Sequence, residues 1–304
     1  MKAANGLAKN KTQRIGAGIM YDIGGWALAL PTIILFVFLT WRPIVIAFGY
    51  SLFDLKGMTP VSFVGLQNFK DILSDTNFLQ TLKNTVWYVV WSLILGFPIP
   101  FFLAIMVNEM TKGKEFFKFT LYLPVVMPGV VTSLVWAMMY SDGSGGLLNM
   151  LLVQFGAQPR MWLSDKSLTI FLIIVSMTWQ GFGGTMIMYL ATLQGVDNSL
   201  YEAARIDGAG FWKRFQVVTL PHLLPMALLM GVKQIIAVFN VTEQPMIMTG
   251  GGPNGASMTL GLTNYYYAFR YGHFDKSMAL GVTMFIMLIG LTFVYFGVEK
   301  KLND

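Results

Sequence analysis

The chain has 304 residues, of which 55% are hydrophobic and only 12% charged, and its mean hydropathy is +0.59. A soluble domain carries about 25% charged residues, so this chain has too few charges to cover a water-exposed globular surface, and much of its surface must face lipid. The net charge of +6 is spread between apolar runs, which excludes a nucleic-acid-binding patch, and the lack of cysteine excludes disulfides, thiolate metal sites and a cysteine nucleophile.

Six apolar segments are each long enough to cross a bilayer, which takes roughly 20 helical residues. In lipid, only helices and closed barrels satisfy the backbone hydrogen bonds, and these continuous runs lack the alternating pattern of a barrel strand. We therefore predict an all-α fold, a polytopic membrane helical bundle that forms a single transmembrane domain over residues 1–304. The six predicted helices are residues 24–46, 85–108, 119–140, 168–192, 222–247 and 278–298.

Lys and Arg in the segments between the predicted helices indicate the orientation of the chain. With a cytoplasmic amino terminus, the inner segments hold 12 of these residues and the longer outer segments hold 7. Because Lys and Arg are enriched in cytoplasmic segments, we predict that both termini are cytoplasmic. The inner residues are Lys2, Lys9, Lys11, Arg14, Lys112, Lys114, Lys118, Arg205, Lys213, Arg214, Lys300 and Lys301.

The predicted cytoplasmic segment between the fourth and fifth helices carries helix-boundary signals. Ser199 followed three residues later by Glu202 fits a capping box, which starts a helix, and Gly208 fits the left-handed position that ends one. A second short helix is predicted at 211–218, stopping before a proline. Two short helices would then meet at a sharp turn, with Ala203-Ala204 as a shallow face that another surface can approach.

This segment also carries a longer motif. It reads Glu-Ala-Ala from Glu202, Asp-Gly-Ala from Asp207, then a phenylalanine and Leu-Pro, with Pro225 beyond. The motif resembles the signature of permease subunits of bacterial binding-protein-dependent ABC importers, and other segments point to the carbohydrate branch, the maltose-type and glycerol-phosphate-type permeases. Those segments are Phe63–Phe69, Tyr122-Leu123-Pro124 and Thr249–Pro253.

The resemblance implies a type I ABC importer permease fold in the bacterial cytoplasmic (inner) membrane. The implied partners are a second homologous permease subunit, two ATPase subunits, an extracytoplasmic solute-binding protein, a sugar substrate and membrane lipid, with no nucleic acid. In that family the segment matching 197–221 docks into a cleft on the ATPase, although Val196-Asp197 stands here in place of the family's Ile-Pro. The residues to which the resemblance gives an ATPase-coupling role are Glu202, Ala203, Ala204, Asp207, Gly208, Ala209, Phe215 and Pro221.

The sequence contains no G-x-x-x-x-G-K-[ST] nucleotide-binding loop. Lys112-Gly113-Lys114-Glu115 lacks both its spacing and its hydroxyl. The chain therefore has no visible means of binding nucleotide, and the resemblance implies that ATP and Mg²⁺ bind on the partner ATPase subunits. We expect no catalytic residue, metal site or cofactor in this chain. The chain is predicted to be a transport subunit and not an enzyme.

Polar residues in the fourth and fifth predicted helices indicate a solvated path. Lys233, Asn240 and Gln244 are spaced i, i+7 and i+11, so on a continuous helix they fall within about 40° of one stripe. A charge at mid-membrane costs about 3 kcal/mol, so such groups should line a water-filled cavity or pair across the bundle. With the resemblance, the predicted substrate path comprises Gln180, Gly181, Gly184, Asn240, Glu243 and Gln244.

Other interpretations of these residues stay open. Lys233 and Glu243 would equally serve as structural partners between helices, the glycines as packing contacts, and Tyr265–Tyr267 as part of an interface. An ion-coupled secondary transporter of small polar solutes, with Lys233 and Glu243 as coupling charges, is the alternative function. A membrane enzyme would need an acid–base pair, a nucleophile or a metal cluster, and the sequence has none of these constellations. The sugar itself stays open among oligosaccharides, glycerol-phosphate-like solutes and acidic glycans.

Overall fold

The computed structural model describes residues 25–303, with side chains described as far as residue 297. The charges predicted to lie inside at Lys2, Lys9, Lys11, Arg14, Lys300 and Lys301 fall outside the described side chains. In chain order the elements are α1 (Gly25–Tyr50), β1 (Phe53–Lys56), β2 (Thr59–Phe63), α2 (Gln67–Leu73), α3 (Phe78–Glu109), α4 (Lys114–Val126), α5 (Gly129–Met139), α6 (Leu147–Gln154), α7 (Thr169–Gln194), α8 (Asn198–Ile206), α9 (Phe211–Phe239), α10 (Glu243–Thr249), α11 (Leu260–Tyr265) and α12 (Phe274–Asn303).

Five of the described helices, α1, α3, α7, α9 and α12, are long and apolar enough to cross a membrane. The bent pair α4 and α5 makes a sixth span if the two helices are counted together. The two strands form one antiparallel hairpin. The prediction of a membrane helical bundle is confirmed.

The two faces of the bundle follow from the alternating direction of successive spans. Residues 51–77, 140–168 and 240–273 connect spans at the face that carries the β-hairpin, which we call the hairpin face. Residues 110–113 and 195–210 connect spans at the opposite face, which carries α8 and which we call the α8 face. The positive-inside prediction assigns the α8 face to the cytoplasm.

The third predicted helix, 119–140, is wrong as one straight helix. It is divided into α4 and α5, which meet at 93°. Met127 has an extended backbone, ψ 134°, because the ring of a following proline disfavours the helical conformation, and Pro128 then forms the N-cap of α5. The apolar composition of this stretch concealed the break.

The fifth predicted helix, 222–247, and the separate short helix at 211–218 are also wrong. One helix, α9, runs from Phe211 through Pro221 and ends at Phe239, with Asn240 as its C-cap. A new short helix, α10, begins three residues later at Glu243. Residues 240 and 243–244 therefore do not continue the face of α9.

Three prolines inside the long helices are preceded by π-helical turns. A proline removes one backbone donor and clashes with the preceding turn, and a π turn shifts the hydrogen-bond register so that the helix continues. Three π turns each end two residues before a proline: Val37–Trp41 before Pro43, Ser92–Gly96 before Pro98, and Phe215–Thr219 before Pro221.

The core lies where α3, α7 and α9 pack together. Towards the α8 face it is built on Phe101, Tyr189 and Leu223, and towards the hairpin face on Tyr88 and Ile173. A further cluster joins α2, α11 and α12. In contrast, the apolar window of α1 has no buried residue, so its surface faces lipid or another subunit.

Candidate functional site

The break between α4 and α5 brings together two polar residues from different helices. Gln180, on α7, donates from Nε2 to the carbonyl oxygen of Met127 at 3.4 Å. Glu243, at the start of α10, packs against the Cα of Gly129: a Cβ added there would lie 3.1 Å from Glu243 Cδ, nearer still to Oε1, and 3.5 Å from Gln180 Nε2. Gln180 and Glu243, both predicted path residues, therefore meet at the point where the chain bends.

The other four predicted path residues have different surroundings. Gly181 has open space where a side chain would lie, whereas an added Cβ at Gly184 would make an ordinary 3.8 Å contact with a valine. Asn240 is exposed, and its amide donates back to Ile236 O at 2.8 Å. Gln244 is half-buried on α10. The predicted single stripe of Lys233, Asn240 and Gln244 does not form, because α9 ends before Asn240.

The charged residues of the fifth predicted helix do not pair with each other. Lys233 is exposed on α9, and across the described side chains the one ion pair is between Lys118 and Glu115, at 2.8 Å on α4. The interpretation of Lys233 and Glu243 as mutual partners is therefore not realised in this structure. Within residues 25–297, His, Asp and Glu form no group of three that could hold a metal ion.

Sequence reasoning missed Pro128 and Gly129 as determinants of this site, whereas it interpreted the glycines of the fourth predicted helix as packing contacts. Proline followed by glycine marks a turn, so the Pro128-Gly129 pair inside a predicted helix was an available signal. At Gly183 an added Cβ would overlap the backbone carbonyl of Leu121 and lie 2.9 Å from Tyr122 Cα. This glycine permits the close crossing of α7 and α4 that holds Gln180 over the break.

At the α8 face, helix α8 is capped by a residue other than the predicted one. Asp197 is the N-cap, and its Oδ1 accepts a hydrogen bond from Ser199 N at 2.9 Å. The predicted capping box of Ser199 and Glu202 is therefore wrong, since Asp197 already supplies the carboxylate that the first turn needs. Hydrogen bonds from Ser199 hold the pKa of Asp197 below its usual range.

The carboxyl end of α8 is closed by a Schellman motif. Gly208 has φ +75°, which favours glycine. Its N–H donates to Arg205 O at 3.0 Å, and the N–H of Ala209 donates to Ala204 O at 2.9 Å, the two bonds that define the motif. Gly208 thus ends α8 as predicted from the sequence.

Only part of the predicted coupling set lies on the surface. Ala204 is buried against Val196 and Val218, so the expectation that Ala203 and Ala204 share an open face is wrong: the helix turns Ala204 inward to anchor α8. Phe215 is half-buried, with its ring centroid 6.5 Å from that of Phe101, and Ala209 is half-buried as well. The exposed members are Glu202, Ala203, Asp207, Gly208 and Pro221.

A polar groove of about 400 Å³ runs beside α8 on the same face. One wall comes from the α3–α4 connection, including Glu109 and Lys114, and the other from α8 and α9, including Glu202, Arg205 and Arg214. The α3–α4 connection, which is distant from α8 in sequence, thus extends the exposed surface of α8. The local sequence pattern of neither segment predicts this contact.

Comparison with known proteins gives concordant results. Residues 96–303 match the family model described as binding-protein-dependent transport system inner membrane component. The chain is 32% identical over 296 residues to the lactose transport system permease protein LacF of Rhizobium radiobacter, covering 95% of this chain and 98% of that one. It is 30% identical over 236 residues to the arabinooligosaccharides transport system permease protein AraP of Bacillus subtilis (strain 168), covering 77% and 75%.

A solved structure has the same fold. A chain of a bacterial ABC transporter involved in the import of the acidic polysaccharide alginate superposes with a TM-score of 0.83 at 24% identity, covering 96% of this chain and all of that one. The trehalose/maltose transport system permease protein MalF of Thermococcus litoralis is 29% identical over 281 residues, covering 92% of this chain and 95% of that one.

Proposed function

This chain belongs to the family of binding-protein-dependent transport system inner membrane components, and we propose that it is the permease subunit of an ATP-driven sugar importer, forming half of the translocation path. It is a multi-pass protein of the bacterial inner membrane. The sugar assignment is supported by relatives whose names refer to lactose, arabinooligosaccharides and trehalose/maltose. The other half of the path is a second, homologous permease subunit.

The observation that carries the proposal is the rigid, exposed turn on the α8 face. Asp197 fixes the start of α8 and the Schellman motif fixes its end, while Glu202, Asp207 and Gly208 stay exposed. A helix whose two ends are fixed by hydrogen bonds moves as a rigid unit. It can therefore pass a displacement from one subunit to the other, as coupling between two subunits requires. Since the sequence has no nucleotide-binding loop, ATP and Mg²⁺ bind to partner ATPase subunits. Those subunits contact this turn.

The path runs past the break between α4 and α5. Gln180 and Glu243 offer hydrogen-bond donors and acceptors to sugar hydroxyls, and Gly181 opens onto free space. The extended Met127-Pro128 link between α4 and α5 is the kind of element-terminal segment that absorbs a change in backbone angles, so movement at this link supports alternating access. The remaining proposed path residues are Gly184, Asn240 and Gln244.

An external solute-binding protein delivers the sugar to the hairpin face. Another chain of an alginate ABC transporter, solved in complex with an alginate pentasaccharide-bound periplasmic protein, superposes on this chain with a TM-score of 0.83. At 23% identity that likeness extends to the fold alone, so the delivered sugar of this importer is identified by screening glycans against its own binding protein.

The test is uptake by the complete importer in proteoliposomes, with a pair of matched glycine variants. Gly208 and Gly272 have φ +75° and +72°, and both face open space, but they lie on opposite faces. An aspartate at either position imposes the same backbone strain, so Gly208→Asp is expected to abolish ATP-driven uptake while Gly272→Asp retains it. Glu202→Lys should also abolish uptake while membrane insertion stays intact.

Wild-type uptake in both Gly208→Asp and Glu202→Lys would overturn the coupling role and reduce the turn to a connection. Mass spectrometry of the complex purified in mild detergent should identify an ATPase and a second permease. A chain that purifies alone and transports sugar under an ion gradient would instead support the secondary transporter.

A further inference from the structure

A second cavity lies on the hairpin face and shares no lining residue with the break between α4 and α5. It has a volume of about 310 Å³, which is at the lower end of the roughly 300–1,000 Å³ typical of small-ligand sites. One wall comes from the end of α2 and the start of α3, and the other from residues 254–271. Asn84 joins the two walls by donating to the carbonyl oxygens of Gly255 and Met258 at 2.7 and 2.9 Å.

A carboxylate in this cavity is oriented and has unused acceptor capacity. Asp75 Oδ1 accepts a hydrogen bond from Asn77 N at 2.8 Å, and Oδ2 accepts one from the hydroxyl of Tyr267 at 3.1 Å. Each carboxylate oxygen can accept two hydrogen bonds, so two positions remain for donors from a ligand. Burial, with the charge of Asp75, raises the pKa of Tyr267 to about 12, so this phenol keeps its proton at neutral pH.

Two further polar groups line the same cavity. Thr263 lines the cavity, but among the described residues its hydroxyl oxygen is closed off from solvent and has no hydrogen-bond partner, so a ligand in the cavity does not reach it. Gln80 keeps its carbonyl oxygen available, because its Nε2 donates to Asn254 O at 3.2 Å. The cavity therefore offers acceptors from Asp75 and Gln80 on one wall and tyrosine hydroxyls on the other.

Aromatic rings form the rest of the wall. Tyr266, Tyr267 and Tyr271 all line the cavity, and Tyr271 is 55% exposed. A cluster of tyrosines with an acid is also typical of sites for organic cations. Here, however, the guanidinium of Arg270 already lies 4.9 Å from the ring centroid of Tyr266, and its positive charge disfavours a second cation.

We propose that this cavity is an accessory saccharide-binding site, in which the carboxylate of Asp75 and the side-chain oxygen of Gln80 bind sugar hydroxyls while Tyr271 packs against a C–H face of the ring. The volume suits one or two uncharged sugar rings. This inference rests on the proposed function. It adds a site at the face where sugar arrives, outside the path, where a sugar released near the membrane would be retained.

The test is saturation-transfer NMR on the complete importer in lipid nanodiscs, with the solute-binding protein left out. Lactose, maltotriose and arabinotriose serve as sugar probes and tetramethylammonium as the cation probe. Tyr271→Ala removes an exposed aromatic contact, and the expected rise in the dissociation constant is about five- to tenfold. Asp75→Asn and Gln80→Leu should weaken sugar binding as well.

Tyr265→Ala is the matched control, because Tyr265 is 39% exposed on the same segment but does not line the cavity, and it should leave the dissociation constant within about twofold. Any of three results would overturn the proposal: no sugar binds, sugar binds but none of the three cavity variants changes its affinity, or tetramethylammonium alone binds. Uptake is measured on the same preparations after the binding protein is added. Uptake that persists alongside a failed binding test leaves the proposed function standing, and loss of uptake in the wild-type importer counts against that function.

Discussion

Replacing Gly129 with alanine tests the proposed meeting of polar groups at the break between α4 and α5. The new methyl group would lie 3.1 Å from Glu243 Cδ, closer still to Oε1, and 3.5 Å from Gln180 Nε2. The obstacle is the far end of a side chain and not backbone, so the carboxyl group has to swing away from α5. The variant therefore probes one contact between α5 and α10.

The magnitude follows from two opposing effects. Moving the Glu243 carboxyl off its preferred rotamer costs about 0.5–1.5 kcal/mol, and residual crowding of a packed contact costs about 1–3 kcal/mol. Alanine gains at most about 1 kcal/mol over glycine in a helix, and less at a first-turn position such as Gly129. The two costs together exceed the helix gain, so the net expectation for Gly129→Ala is a loss of about 1–4 kcal/mol.

The assay is a double-mutant cycle on thermal unfolding of the importer in nanodiscs. Glu243→Ala removes the obstructing carboxyl group, so Gly129→Ala should be neutral or slightly stabilising in that background. The expected coupling between the two sites is about 1.5–3 kcal/mol, at the upper end of the range for residues in contact. As each kcal/mol shifts the melting temperature by about 2–4 °C in domains of 150–250 residues, the difference is measurable.

Gly181→Ala is the control for glycine-to-alanine substitution in a membrane helix. It lies one residue from Gln180 with nothing within 4 Å of the added Cβ, so the substitution should stabilise α7 by up to about 1 kcal/mol. The reasoning is refuted if Gly129→Ala is as well tolerated as Gly181→Ala, or if it destabilises the protein equally with and without the Glu243 carboxyl group.

Three further outcomes are expected. Gly183→Ala should destabilise the chain by about 1–3 kcal/mol in thermal unfolding, because its Cβ meets the Leu121 backbone, which moves less easily than a side chain, whereas Gly184→Ala should be tolerated. Asn84→Ala should cost about 2 kcal/mol or more in the same assay, since it leaves two loop carbonyls without their donor. The pKa of Asp197 is lowered, so its ionised side chain stabilises α8 at pH values above the ordinary pKa of 3.8, and this stabilisation is lost as the pH falls below 3.8. Hydrogen exchange of the α8 amides should show this pH dependence. Asp197→Asn keeps the acceptor and should remove the pH dependence.

The long apolar helices were the most predictable part of the fold, because only an unbroken helix satisfies its backbone in lipid. α7 spans Thr169–Gln194 where the sequence predicted 168–192. The errors fell at two breaks whose sequence is also compatible with a continuous helix. Met127-Pro128 sits inside an apolar run, so a hydropathy argument passes over that break. Asn240 begins a polar stretch that reaches Gln244, and this stretch was interpreted as the polar face of a continuing helix. The π turn at Phe215–Thr219 caused the opposite error, since it lets a helix continue through a proline that was expected to end it.

The sequence predicted the structure of the α8 face better than that of the path, because the α8 face depends on short-range interactions and the path on long-range ones. The end of α8 depends on Gly208 and on bonds that span a few residues, which local pattern reveals. The break in α4–α5 depends on partners 53 residues away, since it is Gln180 that donates to the Met127 carbonyl. A chain that bends in a membrane exposes backbone groups that lipid cannot bind, so these groups need partners within the protein. At the end of α9 the partner is local, since the Asn240 amide donates to Ile236 O, whereas at the α4–α5 break it is Gln180 of another helix. The local partner lies within reach of a sequence argument, and the distant one becomes visible only when the fold brings α7 beside the break.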